Sequence, residues 1–332
     1  MPRLLALKIL EMQYAGLRRR FDMNPSAVGL CWNGLDRSRL LFSIALKDAG
    51  RACLYAELAP LPGFLTLDAK GVNFLSSLPR EADFYRIWLD QQPASEEWRS
   101  AGLQLSRRQV KRQRTVRPDK KELPNGPFIF VPLQVPGDSQ IRYYGDWIAS
   151  MEHLIETLQL ASRHLPDGWH IRVKEHPSAK IDLSALITAQ SDHKCWLDNE
   201  TDTYEQVAQS AAILTVNSSV GLQGFFFDKP VIVLGLAFYG FEPLVQRATS
   251  PESLAVILSN PQQLPIDHNL RTAFMRYLME VHFFPGSLTT MGQTLNPAQK
   301  AHLKKVMHDA AVIAPSSSKP CRSAAQQSQH LE

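Results

Sequence analysis

Short apolar runs alternate with stretches of helical spacing along this chain, and the alternation predicts an α/β fold. Strand-like runs occupy residues 27–31, 52–56, 64–73 (a short strand with its loop), 128–133, 170–174, 195–197, 211–216 and 231–234. Apolar positions with helical spacing occupy residues 38–49, 146–164, 202–210, 220–227, 251–260, 270–284 and 297–313. Strands and helices in this order favour doubly wound, parallel sheets.

A break in this pattern near residue 122 predicts two domains. A basic segment ends there, and Pro124-Asn125-Gly126-Pro127 provides turn residues before the strands resume. We therefore expect two Rossmann-like domains, residues 1–122 and 123–313, with a cleft between them. Residues 314–332 are rich in Ser, Gln and Ala, which predicts a disordered tail.

Polar residues follow the predicted strand 170–174 at its carboxyl end. Lys174 and His176 leave this strand on the same face, and Pro177 stops it. Two potentially cationic donors would then border the sheet edge at which open α/β sheets bind ligands. A plain turn is the alternative interpretation of the His-Pro pair.

A second polar group follows the predicted strand 211–216. Asn217, Ser218 and Ser219 stand between this strand and the next helix, so one of the serines is expected at the helix N-cap. Free backbone N–H groups, the helix dipole and two hydroxyls suit a phosphate. A simple helix cap is the alternative, but the group that contains His176 favours a nucleotide-phosphate site.

Two carboxylates are candidates for the reacting groups. Asp138 follows Pro136-Gly137 just past the buried strand 128–133, and Glu57 ends the strand that begins near residue 52. One carboxylate from each domain could serve sugar transfer, one as nucleophile or charge stabiliser and the other as acid or base. Asp138 could equally be a turn or helix-capping residue.

Composition and charge limit the function classes. Of the 332 residues 44% are hydrophobic and 20% charged, which is typical of a soluble globular protein. No apolar run is long enough for a membrane span, and the amphipathic N-terminus lacks a signal-peptide pattern, so we expect a cytoplasmic protein. The four cysteines lack paired spacing, which argues against a zinc site or a disulfide framework.

The net charge of +4 is unevenly spread. Residues 106–121 contain eight Lys and Arg residues and one acid, Asp119. The run is either a solvated linker or a contact for an anionic partner, and the absence of interleaved aromatic residues argues against nucleic acid. With the basic N-terminal segment, it suggests peripheral docking on the anionic inner membrane.

A third acidic set, Asp198, Glu200 and Asp202, could hold a divalent metal. We prefer helix capping at Thr201 or Asp202, because these residues precede a predicted helix. No metal site is therefore predicted.

The order and spacing of these groups resemble the bacterial capsule polysaccharide biosynthesis family, which includes retaining β-Kdo transferases. The resemblance covers residues 28–240, and its motifs are Gln134, Asp138-Ser139-Gln140-Ile141, Lys174-x-His176-Pro177, Asn217-Ser218-Ser219-Val220-Gly221 and Lys229-Pro230-Val231-Ile232. It implies a metal-independent, cofactor-free transferase of the GT-B fold, which moves the acidic sugar Kdo from CMP-Kdo to a lipid-linked or glycan acceptor.

The resemblance also implies roles for the two domains and their residues. Residues 1–122 would face the acceptor, and residues 123–313 would bind the donor. Asp138 would be the nucleophile and Glu57, which matches the family less closely, the acid/base. The CMP site would be built from Gln134, Lys174, His176, Pro177, Asn217, Ser218 and Ser219.

Two other functions fit the same residue types. One is a CDP-glycerol-type glycerophosphotransferase, whose phosphate site could use the same groups. The other is a non-catalytic module of a capsule-assembly complex. Binding and turnover of CMP-Kdo would separate the three hypotheses.

Overall fold

The structure is a computed structural model that describes residues 3–106, 123–179, 183–188, 194–286 and 295–313. Within these residues the strands are β1 (Val28–Trp32), β2 (Ala52–Leu58), β3 (Phe64–Asp68), β4 (Phe128–Pro132), β5 (His170–Lys174), β6 (Cys195–Leu197), β7 (Ala212–Thr215), β8 (Val231–Val233), β9 (Gln246–Arg247) and β10 (Phe283–Pro285).

Helices occupy most of the connections between these strands. The α-helices are α1 (Arg3–Asp22), α2 (Arg37–Asp48), α3 (Ala82–Asp90), α4 (Ser100–Ser106), α5 (Ser139–Tyr144), α6 (Met151–Ala161), α7 (Ser184–Thr188), α8 (Thr203–Gln209), α9 (Ser219–Gln223), α10 (Pro251–Ser259), α11 (His268–Tyr277) and α12 (Pro297–Ile313). Short 3₁₀ helices span Asn73–Leu75, Glu97–Arg99, Ser162–His164, Gly224–Phe227 and Pro261–Gln263, and a π-helical segment spans Leu278–His282.

The described residues form two compact units. Unit 1 contains those of Met1–Ala59, Gly63–Ser77 and Glu280–Glu332, and unit 2 contains those of Pro60–Pro62 and Leu78–Met279. This division differs from the boundary expected at residue 122. The ring of Tyr85 on α3 packs against Phe274 of α11 at 4.9 Å, so α3 belongs with unit 2.

Unit 2 is built on a six-stranded parallel sheet in the order β6-β5-β4-β7-β8-β9. The chain starts at β4, adds β5 and β6 on one side, and then returns to add β7 to β9 on the other. All five residues of β4 are buried, as are those of β7 and β8, which explains their continuous apolar sequences. The predicted doubly wound sheet is confirmed in this unit.

Unit 1 contains a four-stranded sheet in the order β1-β2-β3-β10. β1 and β2 are parallel and flank α2, which confirms the predicted β-α-β unit, whereas β3 and β10 run antiparallel to their neighbours. One core lies between this sheet and helices α1 and α2, and another lies beneath α12. Cys31 and Cys53 are buried in the first core, as expected of structural cysteines.

The predicted bounds of two helices were wrong. The run 146–164 begins its helix only at Met151, because Asp146 has a positive φ of 59° and Ser150 caps the helix. The run 270–284 ends in β10, whose residues pair with β3 in unit 1. A three-residue apolar strand cannot be told from a helix end by periodicity alone.

Two predictions fall outside the described residues. One is the basic run, nearly all of which lies within residues 107–122, and the other is the predicted tail 314–332. In the described part of the chain, we find no helix that is long and apolar enough to cross a membrane.

Candidate functional site

The candidate site lies in unit 2, at the edge where β4, β5 and β7 end. β4 is the point at which the strand order reverses, because β5 follows it on one side and β7 lies on the other. Loops that leave neighbouring strands in opposite directions create a crevice at such a switch point, and open α/β sheets bind ligands there. The loops after β4 and β7 carry most of the predicted site residues.

A side-chain network joins these two loops. The Nε2 of Gln134 donates to the Oδ1 of Asn217 at 2.9 Å, although the residues are 83 positions apart in the chain. The Nδ2 of Asn217 donates to two carbonyl oxygens of α5, those of Gln140 at 2.9 Å and Tyr144 at 3.0 Å. These bonds fix the shape of the crevice, and the expected contact of Gln134 and Asn217 with CMP stays a prediction.

Asp138 is aimed by a tight turn. Its N–H donates to the carbonyl of Val135 at 2.9 Å, with Pro136 and Gly137 at the central positions. Gly137 has a φ of +79°, and proline followed by a positive-φ glycine is the pattern of a type II turn. The sequence therefore turns sharply after β4 and places Asp138 at the start of α5.

The carboxylate of Asp138 caps α5. Its Oδ1 accepts from the N–H of Gln140 at 2.9 Å, so the capping interpretation is confirmed. Among the described residues the structure gives its Oδ2 no hydrogen-bond partner, and the side chain is half-buried. One oxygen thus fixes the carboxylate, and the other is available to a ligand.

His176 lies close enough to Asp138 for the two groups to interact. Burial lowers the pKa of His176, and the Asp138 carboxylate opposes this shift without cancelling it. The ring is therefore neutral at pH 7. Because its Nδ1 accepts from the N–H of Ser178 at 3.1 Å, the ring proton is on Nε2, which can donate to an anion.

Pro177 shapes the backbone of the same loop. It occupies the second position of a turn in which the N–H of Ala179 donates to the carbonyl of His176 at 2.8 Å. Proline presets the backbone angle for that position. Pro177 is exposed and shapes the loop that carries the imidazole.

Lys174 binds a neighbouring loop of unit 2. Its Nζ donates to the carbonyls of Asn199 at 2.9 Å and Thr201 at 2.6 Å, in the loop after β6. Alternation along β5 predicts the face of a side chain but not which neighbouring loop it reaches. Lys174 thus binds the loop after β6, whereas His176 lies close to Asp138 in the loop after β4. Their convergence on a phosphate stays a prediction.

Glu175, which the sequence analysis did not single out, anchors this region. It is 5% exposed, and its carboxylate accepts from the Nδ2 of Asn199 at 2.7 Å and from the N–H of Leu183 at 2.8 Å. Its burial follows from the strand periodicity, because it alternates with the two residues that were singled out. Glu175 holds the loop that positions His176.

The serine pair begins α9. Ser218 is the N-cap, as predicted, and its Oγ accepts from the N–H of Val220 at 3.3 Å. Its carbonyl accepts a hydrogen bond from the hydroxyl of Tyr239, a fully buried residue that the sequence analysis missed because no local motif marks it. Ser219 is exposed at the first helical position.

Glu57 belongs to unit 1, and its side chain accepts hydrogen bonds from that unit. Its Oε2 accepts from the Nδ2 of Asn33 at 2.7 Å, and its Oε1 accepts from the N–H of Leu58 at 3.0 Å. The side chain is half-buried at the carboxyl end of β2. These bonds hold the carboxylate at the strand end where the sequence placed it.

Two residues of the acidic set after β6, Asp198 and Asp202, accept hydrogen bonds from backbone N–H groups. Asp202 accepts from the N–H groups of Tyr204 and Glu205, which confirms the preference for capping. Asp198 accepts from the N–H groups of Glu200 and Thr201. Among the described residues there is no group of three or more His, Cys, Asp or Glu side chains that could hold a metal ion.

Two predicted residues, Asp138 and His176, are thus brought together with groups to offer a ligand. The Asp138 carboxylate, which can attack an electrophilic carbon, interacts electrostatically with His176, whose Nε2–H can donate to a leaving oxyanion. Ser218 and Ser219 border the same crevice from the β7 side. This arrangement suits group transfer from a phosphorylated donor.

Comparison with known proteins decides the family. The family described as capsule polysaccharide biosynthesis protein matches residues 90–288, more than half of the chain. The chain belongs to this family. The matched region contains the whole of the candidate site in unit 2, and the resemblance expected from the motifs is confirmed.

Individual relatives agree with this membership. Protein FixF of Sinorhizobium fredii is 27% identical over 307 residues, which cover 87% of this chain and 71% of FixF. The capsule polysaccharide modification protein LipB of Neisseria meningitidis serogroup B is 28% identical over 187 residues, which cover 51% of this chain and 43% of LipB. The chain thus spans less than half of that LipB.

A solved structure agrees with the fold. The structure titled Thermosulfurimonas dismutans KpsC, beta Kdo 2,7 transferase, matches with a TM-score of 0.53 and 15% identity, and the match covers 87% of this chain and 88% of that one. At this identity the likeness concerns the fold alone. The expected α/β, GT-B-like fold is confirmed.

Proposed function

We propose that this protein is a retaining glycosyltransferase that moves Kdo from CMP-Kdo to a lipid-linked or glycan acceptor in capsule or lipopolysaccharide synthesis. The observation that carries the proposal is the Asp138 carboxylate, which the turn after β4 and the cap of α5 hold at the switch point of unit 2, close enough to His176 to interact with it. Membership of the capsule polysaccharide biosynthesis family supports it, and so does a GT-B-like fold.

The proposed first step forms a bond between the Oδ2 of Asp138 and the anomeric carbon of Kdo. As this bond forms, the bond between that carbon and the CMP oxygen breaks, and CMP departs with the electron pair. The Nε2–H of His176 donates to the phosphate, whose negative charge grows as it leaves. Oδ1 stays bound to the N–H of Gln140, so the carboxylate keeps its orientation.

In the proposed second step a hydroxyl of the acceptor attacks the same carbon. The bond to Asp138 breaks, the carboxylate is restored, and the hydroxyl proton passes to a base. We propose Glu57 as this base. Two displacements at one carbon return the original configuration, as retention requires.

The remaining residues of the site have assigned roles in this proposal. Ser218 and Ser219 bind the CMP side of the donor, while Gln134, Asn217, Lys174 and Pro177 hold the loops that form the crevice. The proposed reaction needs no metal or other cofactor. Peripheral attachment of a cytoplasmic enzyme to the inner membrane would bring it to a lipid-linked acceptor.

A donor screen tests this proposal. The protein is incubated with CMP-Kdo or CDP-glycerol and a panel of lipid and glycan acceptors, and products are identified by mass spectrometry. We expect Kdo transfer from CMP-Kdo and no transfer from CDP-glycerol. Transfer of glycerol phosphate alone would support the glycerophosphotransferase hypothesis, and no binding of either donor would favour a non-catalytic module.

Calorimetry with CMP tests the leaving-group side separately. His176→Ala removes a donor to a charged phosphate, so we expect CMP affinity to fall about 10- to 100-fold. His164→Ala is the matched control, because His164 is an exposed histidine in the 3₁₀ helix Ser162–His164. Equal affinities of the two variants would refute the role of His176.

A further inference from the structure

The N-terminal helix α1 has an apolar face that points away from its own unit. Tyr14, Leu17 and Phe21 pack α1 onto the core of unit 1. At 100° per residue, Leu5, Ile9 and Met12 lie together about 150° around the helix from that packed side. We call these three residues the outer face of α1.

The outer face is exposed to solvent. Leu5 is 49% exposed, Ile9 38% and Met12 75%, so three large apolar side chains form a stripe that is partly open to solvent. Leu4, Leu7 and Leu10 are also exposed, but they lie at other angles around the helix and do not belong to the outer face. An exposed apolar stripe along one face of a helix is typical of an interaction surface.

The charges beside the stripe indicate what covers it. On the helical wheel, Lys8 and Arg19 lie along one border and Arg20 along the other, all within about 70° of its centre. Glu11 and Asp22 lie more than about 100° away. Lys8, Arg19 and Arg20 are exposed and form no ion pair within the described part of the chain.

We propose that the outer face of α1 docks on an anionic lipid bilayer, with the helix lying in the plane of the interface. Apolar side chains between two basic borders match a surface with acyl chains below negative head groups. The helix extends about 22 Å from Leu5 to Arg20, which gives both borders access to head groups. If the proposed transfer is correct, this docking would bring unit 1 to a lipid-linked acceptor.

Vesicle flotation of the full chain, without any sugar donor, tests this proposal independently of the proposed transfer. We expect binding to vesicles of phosphatidylcholine mixed with phosphatidylglycerol, weak binding to pure phosphatidylcholine, and release by salt. The combined change Leu5→Ser, Ile9→Ser and Met12→Ser should reduce binding about tenfold or more. Its control is Leu160→Ser with Val256→Ser, because both residues are exposed in unit 2.

A second pair of variants tests the charges. Lys8→Gln with Arg19→Gln should weaken binding to the mixed vesicles about fivefold per charge. Lys300→Gln with Lys304→Gln removes the same charge from exposed positions of α12 and should change binding little. Equal losses in the two charge pairs would overturn the proposal. The proposal would also be overturned if the protein did not bind vesicles but formed dimers, and if the triple serine variant of α1 were monomeric. The partner of the outer face would then be a second copy of this chain.

Discussion

Asn217→Asp is the sharpest test of how the crevice is built. The substitution preserves the shape of the side chain and the Oδ1 that accepts from Gln134. It replaces the Nδ2, which donates to the carbonyls of Gln140 and Tyr144, with a second oxygen. Two hydrogen bonds are lost, and a negative charge faces two carbonyl oxygens.

The magnitude follows from these contacts. Each lost hydrogen bond costs about 1 kcal/mol, and a carboxylate that faces two carbonyl oxygens adds about 1–2 kcal/mol, although the Tyr144 carbonyl keeps the N–H of Leu236. We therefore expect a loss of about 3–4 kcal/mol. For a unit of this size that corresponds to a fall in Tm of about 6–16 °C. Thermal unfolding followed by circular dichroism measures it.

The pH dependence of this variant provides an internal check. Facing carbonyls raise the pKa of the introduced carboxyl in the folded state, so the penalty is complete above that pKa and shrinks as the pH falls through it. Asn125→Asp, in an exposed turn, adds the same charge without these contacts and should change Tm little. Equal stability of the two variants would refute the structural role of Asn217.

Three other changes have expected outcomes. Gly221→Ala places a methyl group against the Tyr239 hydroxyl and 2.9 Å from the Thr215 Cγ2, so CMP affinity measured by calorimetry should fall several-fold, and unchanged affinity would contradict this packing. His282 has its pKa lowered to about 3 by burial, with the nearby His302 adding to the shift. Below about pH 6.5 the unfolded chain therefore binds a proton at His282 that the folded protein does not, so the free energy of unfolding falls as the pH falls. His282→Asn should reduce this fall by about 1.4 kcal/mol per pH unit between about pH 6 and 4. Urea unfolding at several pH values measures it. Chelation with EDTA should leave Kdo transfer unchanged, and a loss restored by one divalent metal would contradict a metal-independent reaction.

Much of the site could be predicted from local patterns. The apolar run that became β4 and the serine that caps α9 follow from burial and from the hydrogen-bonding preference of helix starts. Pro136 and Gly137 predict the turn that places Asp138 at the start of α5. These signals depend on residues that are close together in the chain, so they can be recognised in a single sequence.

Contacts between distant segments could not be predicted in the same way. The destination of the Lys174 ammonium depends on the loop after β6, and the partners of Asn217 lie 73 to 83 residues away. Tyr239 reaches Ser218 only through the packed core. The strand β10 depends on pairing with β3, which no apolar periodicity in its three residues could reveal.

The most direct test of the central claim is Kdo transfer from CMP-Kdo by Asp138→Asn. Asparagine is a good N-cap, so this variant keeps the cap of α5 while it removes the nucleophile. Asp167→Ala, at a fully exposed surface position, is its control. We predict that mass spectrometry will detect transferred Kdo with the wild type and the control, and none with Asp138→Asn, although that variant still binds CMP. Transfer at the wild-type rate by Asp138→Asn would contradict the proposed mechanism.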